Sequence, residues 1–198
     1  NKHIYIDSQT EQVLIGCVLG DGSILLGGKK KQPLFQCSHG PKQFEYNKWK
    51  YNLLSSLNIR LKEYIRKTAN KKSGKIYEFN LLSTGANSEL FKLRNLLYPN
   101  GIKIITNELL KNYSELSLAI HYMDDGHTAG NTYGIATCGF DRKSVEVFSG
   151  FLLEKFNIEN TISKDNRIRI KRNSTEKMDR IIRPYVEQIQ CMRYKLIK

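Results

Sequence analysis

The sequence predicts an α+β fold made of two similar halves, each running helix, two strands, helix, two strands, helix. The first supporting observation is a repeated segment. Leu14 to Gly22 reads LIGCVLGDG and Leu118 to Gly126 reads LAIHYMDDG, two apolar nine-residue runs that both end in Asp-Gly. Their aspartates, Asp21 and Asp125, stand 104 positions apart in a chain of 198 residues, the offset a duplicated unit gives. The second observation is that the segments following each run alternate between strand and helix periodicity in the same order.

After the first run come strand-like segments at Ser23–Leu26 and Leu34–Ser38. The connection between them, Gly27-Gly28-Lys29-Lys30-Lys31, lacks the order of a Walker phosphate loop and reads as a basic hairpin tip. A helical pattern over Lys42–Leu57 puts Phe44, Trp49, Leu53 and Leu57 on one side. Strands at Arg60–Lys67 and Lys75–Ser83 flank a turn-like Asn70–Gly74. A helix over Ser88–Tyr98 stops at Pro99-Asn100-Gly101.

The second half follows the same course. A helix runs through Asp125, a Gly- and Asn-rich turn precedes a strand near Tyr133–Phe140, and a helix covers Arg142–Phe156. Asn160–Lys164 and Arg167–Arg172 form a hairpin around Asp165-Asn166, and Ser174 caps a last helix to Tyr185. Only the loop Pro99–Thr106 separates the halves, which divide the chain into 1–106 and 107–198.

Composition narrows the function classes. Hydrophobic residues make up 40% and charged residues 26%, an ordinary globular balance, and no stretch approaches the roughly 20 apolar residues of a membrane span. The 32 Lys and Arg against 19 Asp and Glu leave a net charge of +13, which favours a polyanionic partner, nucleic acid first. On charge alone a plainly soluble basic protein stays open. Cys17, Cys37, Cys138 and Cys191 have neither zinc spacing nor a disulfide framework and read as reduced core thiols of an intracellular protein. His39, His121 and His127 also lack metal-site spacing and read as structural or solvent-facing.

The repeated helix carries the chemistry. Gly16 and Gly20 lie four apart on one helix face, where each costs roughly 0.5–1 kcal/mol relative to alanine and so calls for a compensating close contact. The other run is the natural partner, through Ala119 and these glycines. Packing the two helices side by side brings Asp21 and Asp125 together at one end, and paired carboxylates suit a hard, oxygen-liganded cation such as Mg²⁺.

These two runs resemble the LAGLIDADG motif, and two copies in one chain resemble the single-chain LAGLIDADG homing endonucleases of group I introns. The resemblance covers nearly the whole chain. It implies a pseudo-twofold pair of α/β halves with the motif helices at the interface and antiparallel sheets forming a saddle on double-stranded DNA. It also implies a monomer that cuts one phosphodiester on each strand of a long asymmetric site, leaving short 3′ overhangs, with Mg²⁺ (Mn²⁺ substituting). The host setting is a bacterial or phage cytoplasm or an organelle. A non-cleaving maturase or DNA-binding regulator is the other reading this family offers.

Residue by residue, the motif's acid falls on Asp21 and Asp125, with Gly20 and Asp124 as adjoining metal-site positions. Gly101–Leu110 (GIKIITNELL) resembles the segment that delivers one catalytic basic residue, here Lys103, and Cys191–Leu196 (CMRYKL) the segment that delivers the other, Lys195. The second motif departs from the pattern, with Ile120 at its glycine position and Asp124 at its alanine position. Asp124 is therefore also read as an interface or water-contacting residue.

The DNA-reading face follows from alternation. Arg167, Arg169 and Lys171 alternate with Ile168 and Ile170. Lys62, Tyr64 and Arg66 oppose Leu61 and Ile65, while Gln36, Ser38, Glu78 and Asn80 oppose Phe35, Cys37, Tyr77 and Phe79. With Ser23, Lys29 and Lys31, these polar residues are the expected DNA contacts. An ordinary solvated sheet face is the alternative for any one strand.

Overall fold

A computed structural model describes residues 6–68 and 74–198, with only the backbone described at residues 64 and 66–68. The first half comprises helix α1 (Ser8–Leu19), strands β1 (Ser23–Gly27) and β2 (Gln32–His39), and α2 (Phe44–Leu53). It continues with β3 (Ile59–Thr68), β4 (Ile76–Thr84) and α3 (Leu90–Leu97). A short α4 (Asn107–Leu110) leads into the second half. There α5 (Glu115–Asp125), β5 (Gly126–Ala129), β6 (Thr132–Ile135) and α6 (Arg142–Phe156) are followed by β7 (Asn160–Ile162), β8 (Ile168–Ile170) and α7 (Thr175–Val186). Both sheets are four-stranded and antiparallel, and their strand orders, β1-β2-β4-β3 and β5-β6-β8-β7, repeat one topology. The α+β fold of two like halves expected from the sequence is the fold observed.

The motif helices form the centre. Every residue of α1 from Val13 to Leu19 and of α5 from Leu116 to Met123 is buried, so neither helix keeps a solvent face. Asp7 caps α1 by accepting the Thr10 N–H at 2.7 Å, and Ser114 with Ser117 closes a capping box on α5. The glycines of α1 allow a backbone-close crossing. A Cβ at Gly16 would lie 2.7 Å from the Ser117 carbonyl oxygen and 3.0 Å from the Ile120 Cβ. The hydroxyl of Ser117 donates to the Gln12 carbonyl at 2.8 Å across the same seam. The α5 face toward α1 is thus Ser117, Ile120 and Asp124, spaced at three and four residues. Ala119, expected at this contact, is buried one position off that row.

Several boundaries differ from the sequence reading for local reasons. The Lys42–Leu57 pattern resolves into a 3₁₀ turn at Pro41–Gln43 and the shorter α2, because Pro41 opens the turn and the chain leaves the helix at Leu54. The strand near Tyr133 ends at Ile135, since the Thr137 hydroxyl and the Asn166 side chain instead bond carbonyls of the neighbouring loops. Ser174 precedes α7 without capping it, its hydroxyl accepting the Glu159 N–H at 2.9 Å. Residues 70–73 of the Asn70–Gly74 turn lie outside the described residues. Among those described, no helix is long and apolar enough to cross a membrane.

Candidate active site and nucleic-acid face

Asp21 and Asp125 occupy matching positions at the C-terminal ends of α1 and α5, each leading into the first strand of its sheet. The Asp21 side chain is 43% exposed, and Asp125 is half-buried. Burial, then the Asp124 charge, raises the Asp21 carboxyl above its ordinary value. Burial, then the charges of Asp21 and Asp124, pushes Asp125 up to about 7. Two acids brought together out of water resist ionising unless a cation joins them.

The two candidate lysines stand one at each helix end. Lys103 Nζ donates to the Gly20 carbonyl at 3.3 Å, and Lys195 Nζ donates to the carbonyls of Met123 and, at 2.9 Å, Asp124. Both satisfy carbonyls that a helix terminus leaves open, where the helix dipole favours a cation. Burial lowers both ammonium pKa values, and the nearby aspartates oppose that shift. The sequence-identified acids and lysines therefore come together in space.

Asp124 takes a different part from Asp21 and Asp125. Its carboxylate is fully buried, receives the Asp21 N–H at 3.2 Å and the Tyr46 hydroxyl at 2.8 Å, and pairs with Lys50 at 3.2 Å. Burial alone would raise its pKa, but Lys50, His39 and these hydrogen bonds outweigh that and hold it below the ordinary value. Its carboxylate is thus engaged by three donors within the protein, the interface role also expected for it. Gly20 is the matching gap, since a Cβ there would stand 2.7 Å from Asp124 Oδ2.

Sequence reasoning missed the centre of this network, Lys50. Its ammonium is wholly buried and makes three contacts, to Cys37 Sγ at 3.2 Å, His39 Nε2 at 2.6 Å and Asp124 Oδ1 at 3.2 Å, and lies 4.1 Å over the Tyr46 ring. Cys37, His39 and Asp124 bring one potential ligand atom each within 4.8 Å of one another. The Lys50 cation already sits among them and uses its three donors there. Burial, then the Lys50 charge, lowers the His39 pKa to about 3, so the ring is neutral. With Lys50 donating to Nε2, the ring proton is left on Nδ1, which faces Asp21 Oδ2 at 3.5 Å. A lysine in the middle of a helical pattern carries no sequence signal of this role.

The sheets sort the expected nucleic-acid contacts. Ser23, Gln36 and Lys62 share one face of the first sheet, as their pairing through Ser83 and Leu81 requires, and Ser38 is exposed on it. Arg60, exposed and paired with Ser83, belongs to the same face and was missed although it continues the Lys62 alternation. Asn80 does not belong there. It is fully buried, accepts from Asn47 and donates to the Gly40 carbonyl at 2.8 Å, so it ties β4 to α2. Glu78 has the parity of Asn80 and Leu82, the core side, and is exposed only because β4 runs past the core. A bulge between Lys62 and Ile65 shifts the register so that Arg66 pairs with Glu78, while the side chains of Tyr64 and Arg66 lie outside the described residues.

In the second sheet Arg167, Arg169 and Lys171 are exposed while Ile168 and Ile170 are buried. Arg167 pairs with Asp165 at 3.0 Å and Lys171 with Glu159 at 3.1 Å, exposed pairs worth little in water and easily exchanged for phosphate. His127, expected to be structural or solvent-facing, is exposed, lies across Gly134 and feels both Arg167 and Arg169. Lys29 and Lys31 sit exposed at the β1–β2 turn.

The chain matches the LAGLIDADG DNA endonuclease family over residues 11–180. It belongs to that family. Its fold is similar to a solved structure described as the homing endonuclease I-WcaI bound to its DNA recognition sequence. The TM-score is 0.81 at 26% identity, covering 97% of this chain and 87% of that one. The cytochrome b mRNA maturase bI2 of Debaryomyces hansenii is 28% identical over 96% of this chain and 74% of its own length. The Saccharomyces cerevisiae maturase of that name is 29% identical over 93% of this chain and 46% of its own. A protein RecA of Mycobacterium shimoidei is 32% identical over 69% of this chain, and the match spans only 32% of the RecA protein.

Proposed function

We propose that this LAGLIDADG protein is a monomeric, site-specific endonuclease that hydrolyses one phosphodiester on each strand of double-stranded DNA. Halves 1–106 and 107–198 would each serve one strand. The observation that carries this reading is the pairing of Asp21 and Asp125 at adjacent helix ends, with Lys103 and Lys195 one at each end.

The donor set fits a divalent cation. Asp21 and Asp125 are hard oxygen ligands whose raised pKa values mark an unneutralised pair, the setting Mg²⁺ or Mn²⁺ stabilises. When bound, such an ion offsets charge on the phosphate and makes a bound water more acidic. Lys103 and Lys195 place positive charge beside the aspartates, where phosphate charge grows during hydrolysis. Asp124, anchored to Lys50, holds the Asp21 backbone in place. The exposed basic rows on both sheets bind the duplex backbone, and the adjacent polar residues read base edges. By analogy with the family, cleavage leaves short 3′ overhangs.

The test is incubation of the protein with Mg²⁺ and an intron-free copy of the host gene, followed by sequencing of the new ends. A single dominant site is expected, lost in Asp21→Asn and Asp125→Asn while binding persists. Full cutting by both variants removes the assignment. The likeness to two maturases favours a second reading, assistance of RNA folding on the same scaffold; binding of intron RNA without any DNA cleavage would select it.

A further inference from the structure

Lys195 reaches the site on a 3₁₀ helix, Gln190–Lys195, near the C-terminal end of the described chain. No side chain of its own segment caps the start of this helix. The cap comes from the other half of the molecule. Glu45, in the first turn of α2, accepts the Gln190 N–H through Oε1 at 3.2 Å and the Cys191 N–H through Oε2 at 3.1 Å. A carboxylate on two amides at a helix start is a charge-assisted cap aligned with the local dipole. The Cys191 amide, with that of Gln190, holds the Glu45 carboxyl below its ordinary value, against the opposing effect of burial.

Neighbouring contacts run the same way. Trp49 Nε1 on α2 donates to Gln188 Oε1 at 3.2 Å, and Gln43 Nε2 donates to the Tyr194 hydroxyl at 3.3 Å. From the second half, the Tyr122 hydroxyl donates to the Lys195 carbonyl at 2.7 Å. The lysine's helix is thus fixed at its start by α2 and at its end by α5, and only then does Nζ meet the Met123 and Asp124 carbonyls.

We propose that Glu45 is a positioning residue for Lys195, so that the first half's α2 sets the reach of a catalytic lysine carried by the second half. This rests on the reading of Lys195 as a catalytic group. Releasing the cap frees the helix start and lets the ammonium drift from the α5 terminus without disturbing the aspartates.

Two measurements on the full chain test it. Amide hydrogen exchange of the free protein reports the cap, and single-turnover cleavage of the recovered site, with each strand labelled separately, reports its consequence. The variants are Glu45→Ala, Glu45→Gln, Lys195→Met and the double Glu45→Ala, Lys195→Met. Glu45→Ala should speed exchange over residues 190–195 by about fivefold, the typical effect of losing a helix cap, with α1 and α5 unchanged. At saturating DNA and Mg²⁺ it should slow, by about fivefold, the strand that Lys195→Met slows, with DNA affinity held within about twofold. Glu45→Gln, keeping one acceptor oxygen, should fall between and stands in if the alanine variant folds poorly. The double variant should be no slower than Lys195→Met alone. Unchanged exchange, equal slowing of both strands, or additive losses would overturn the proposal. If Lys195→Met slows neither strand, the catalytic reading of Lys195 fails and this proposal with it; normal effects of Lys195→Met with none from Glu45→Ala sink only the proposal.

Discussion

Gly20 of the first motif helix and Asp124 of the second share one space: a Cβ on residue 20 would stand 2.7 Å from Asp124 Oδ2. One motif gives up its side chain so that the other can bury a carboxylate, which then holds the Asp21 N–H at 3.2 Å. One turn earlier the obstacle is backbone, because a Cβ at Gly16 would lie 2.7 Å from the Ser117 carbonyl oxygen. Backbone cannot swing aside. Gly16→Ala should therefore lower unfolding stability by about 1–3 kcal/mol through overpacking. Gly150→Ala on α6, where an added Cβ meets nothing within 4 Å, should instead add up to about 1 kcal/mol of helix propensity. Urea unfolding of both variants decides, and equal effects would contradict the close crossing.

Lys50 and Asp124 form a buried pair between α2 and α5, with both side chains fully shielded from solvent. Removing one partner leaves an uncompensated charge, so Lys50→Met should cost about 3–5 kcal/mol. The double change Lys50→Met, Asp124→Ala should cost less than the sum of its parts, because it removes both charges together. An additive result from a complete unfolding cycle would show that the two are not coupled. The sign with pH is fixed by the depressed Asp124 pKa: this stability is present above the unfolded value near 3.8 and is lost as pH falls through the lower folded one.

Much of this arrangement was legible in the chain because it repeats. Two Asp-Gly runs and two matching element orders led to the halves and to Asp21 and Asp125, while Lys103 and Lys195 came from the likeness of Gly101–Leu110 and Cys191–Leu196 to segments of the family. The parts that were not legible depend on which face a residue meets. Asn80 looked polar and outward by strand alternation, yet it is buried because β4 presents that parity to α2. The bulge after Lys62 changes the pairing of Arg66, and one extra residue leaves no mark in composition. Lys50 reaches Asp124, and Glu45 the Gln190 and Cys191 amides, across long sequence separations, so neither spacing nor periodicity could single them out.

Metal binding and protonation should compete at Asp125, whose carboxyl is pushed up to about 7 by burial and by the charges of Asp21 and Asp124. A raised carboxyl stabilises the metal-free fold fully below its unfolded value near 3.8, and that contribution is lost as pH rises toward 7. The Tm of metal-free wild type should fall relative to Asp125→Asn across this window. Mg²⁺ binds the ionised form, so it should raise Tm more at about pH 8 than at about pH 6. Equal increments at both values would show that Asp125 is not a site of metal binding.

The correction at Asn80 separates a contact with DNA from a contact that builds the fold. Arg169 is exposed on a strand whose neighbours Ile168 and Ile170 are buried, and Arg60 is exposed on the first sheet, on the same face as Lys62. If each neutralises one phosphate, Arg169→Ala and Arg60→Ala should weaken duplex binding and reduce the slope of log affinity against log salt by about 1 each. Asn80→Ala removes the bonds to Asn47 and the Gly40 carbonyl and leaves the fully buried Asn47 amide without its side-chain partner, so it should cost about 1–3 kcal/mol of stability with the salt slope unchanged. Fluorescence anisotropy over a salt series, beside urea unfolding, measures both. A changed salt slope in Asn80→Ala, or an unchanged one in Arg169→Ala, would mean that the buried and exposed faces of these sheets have been assigned the wrong way round.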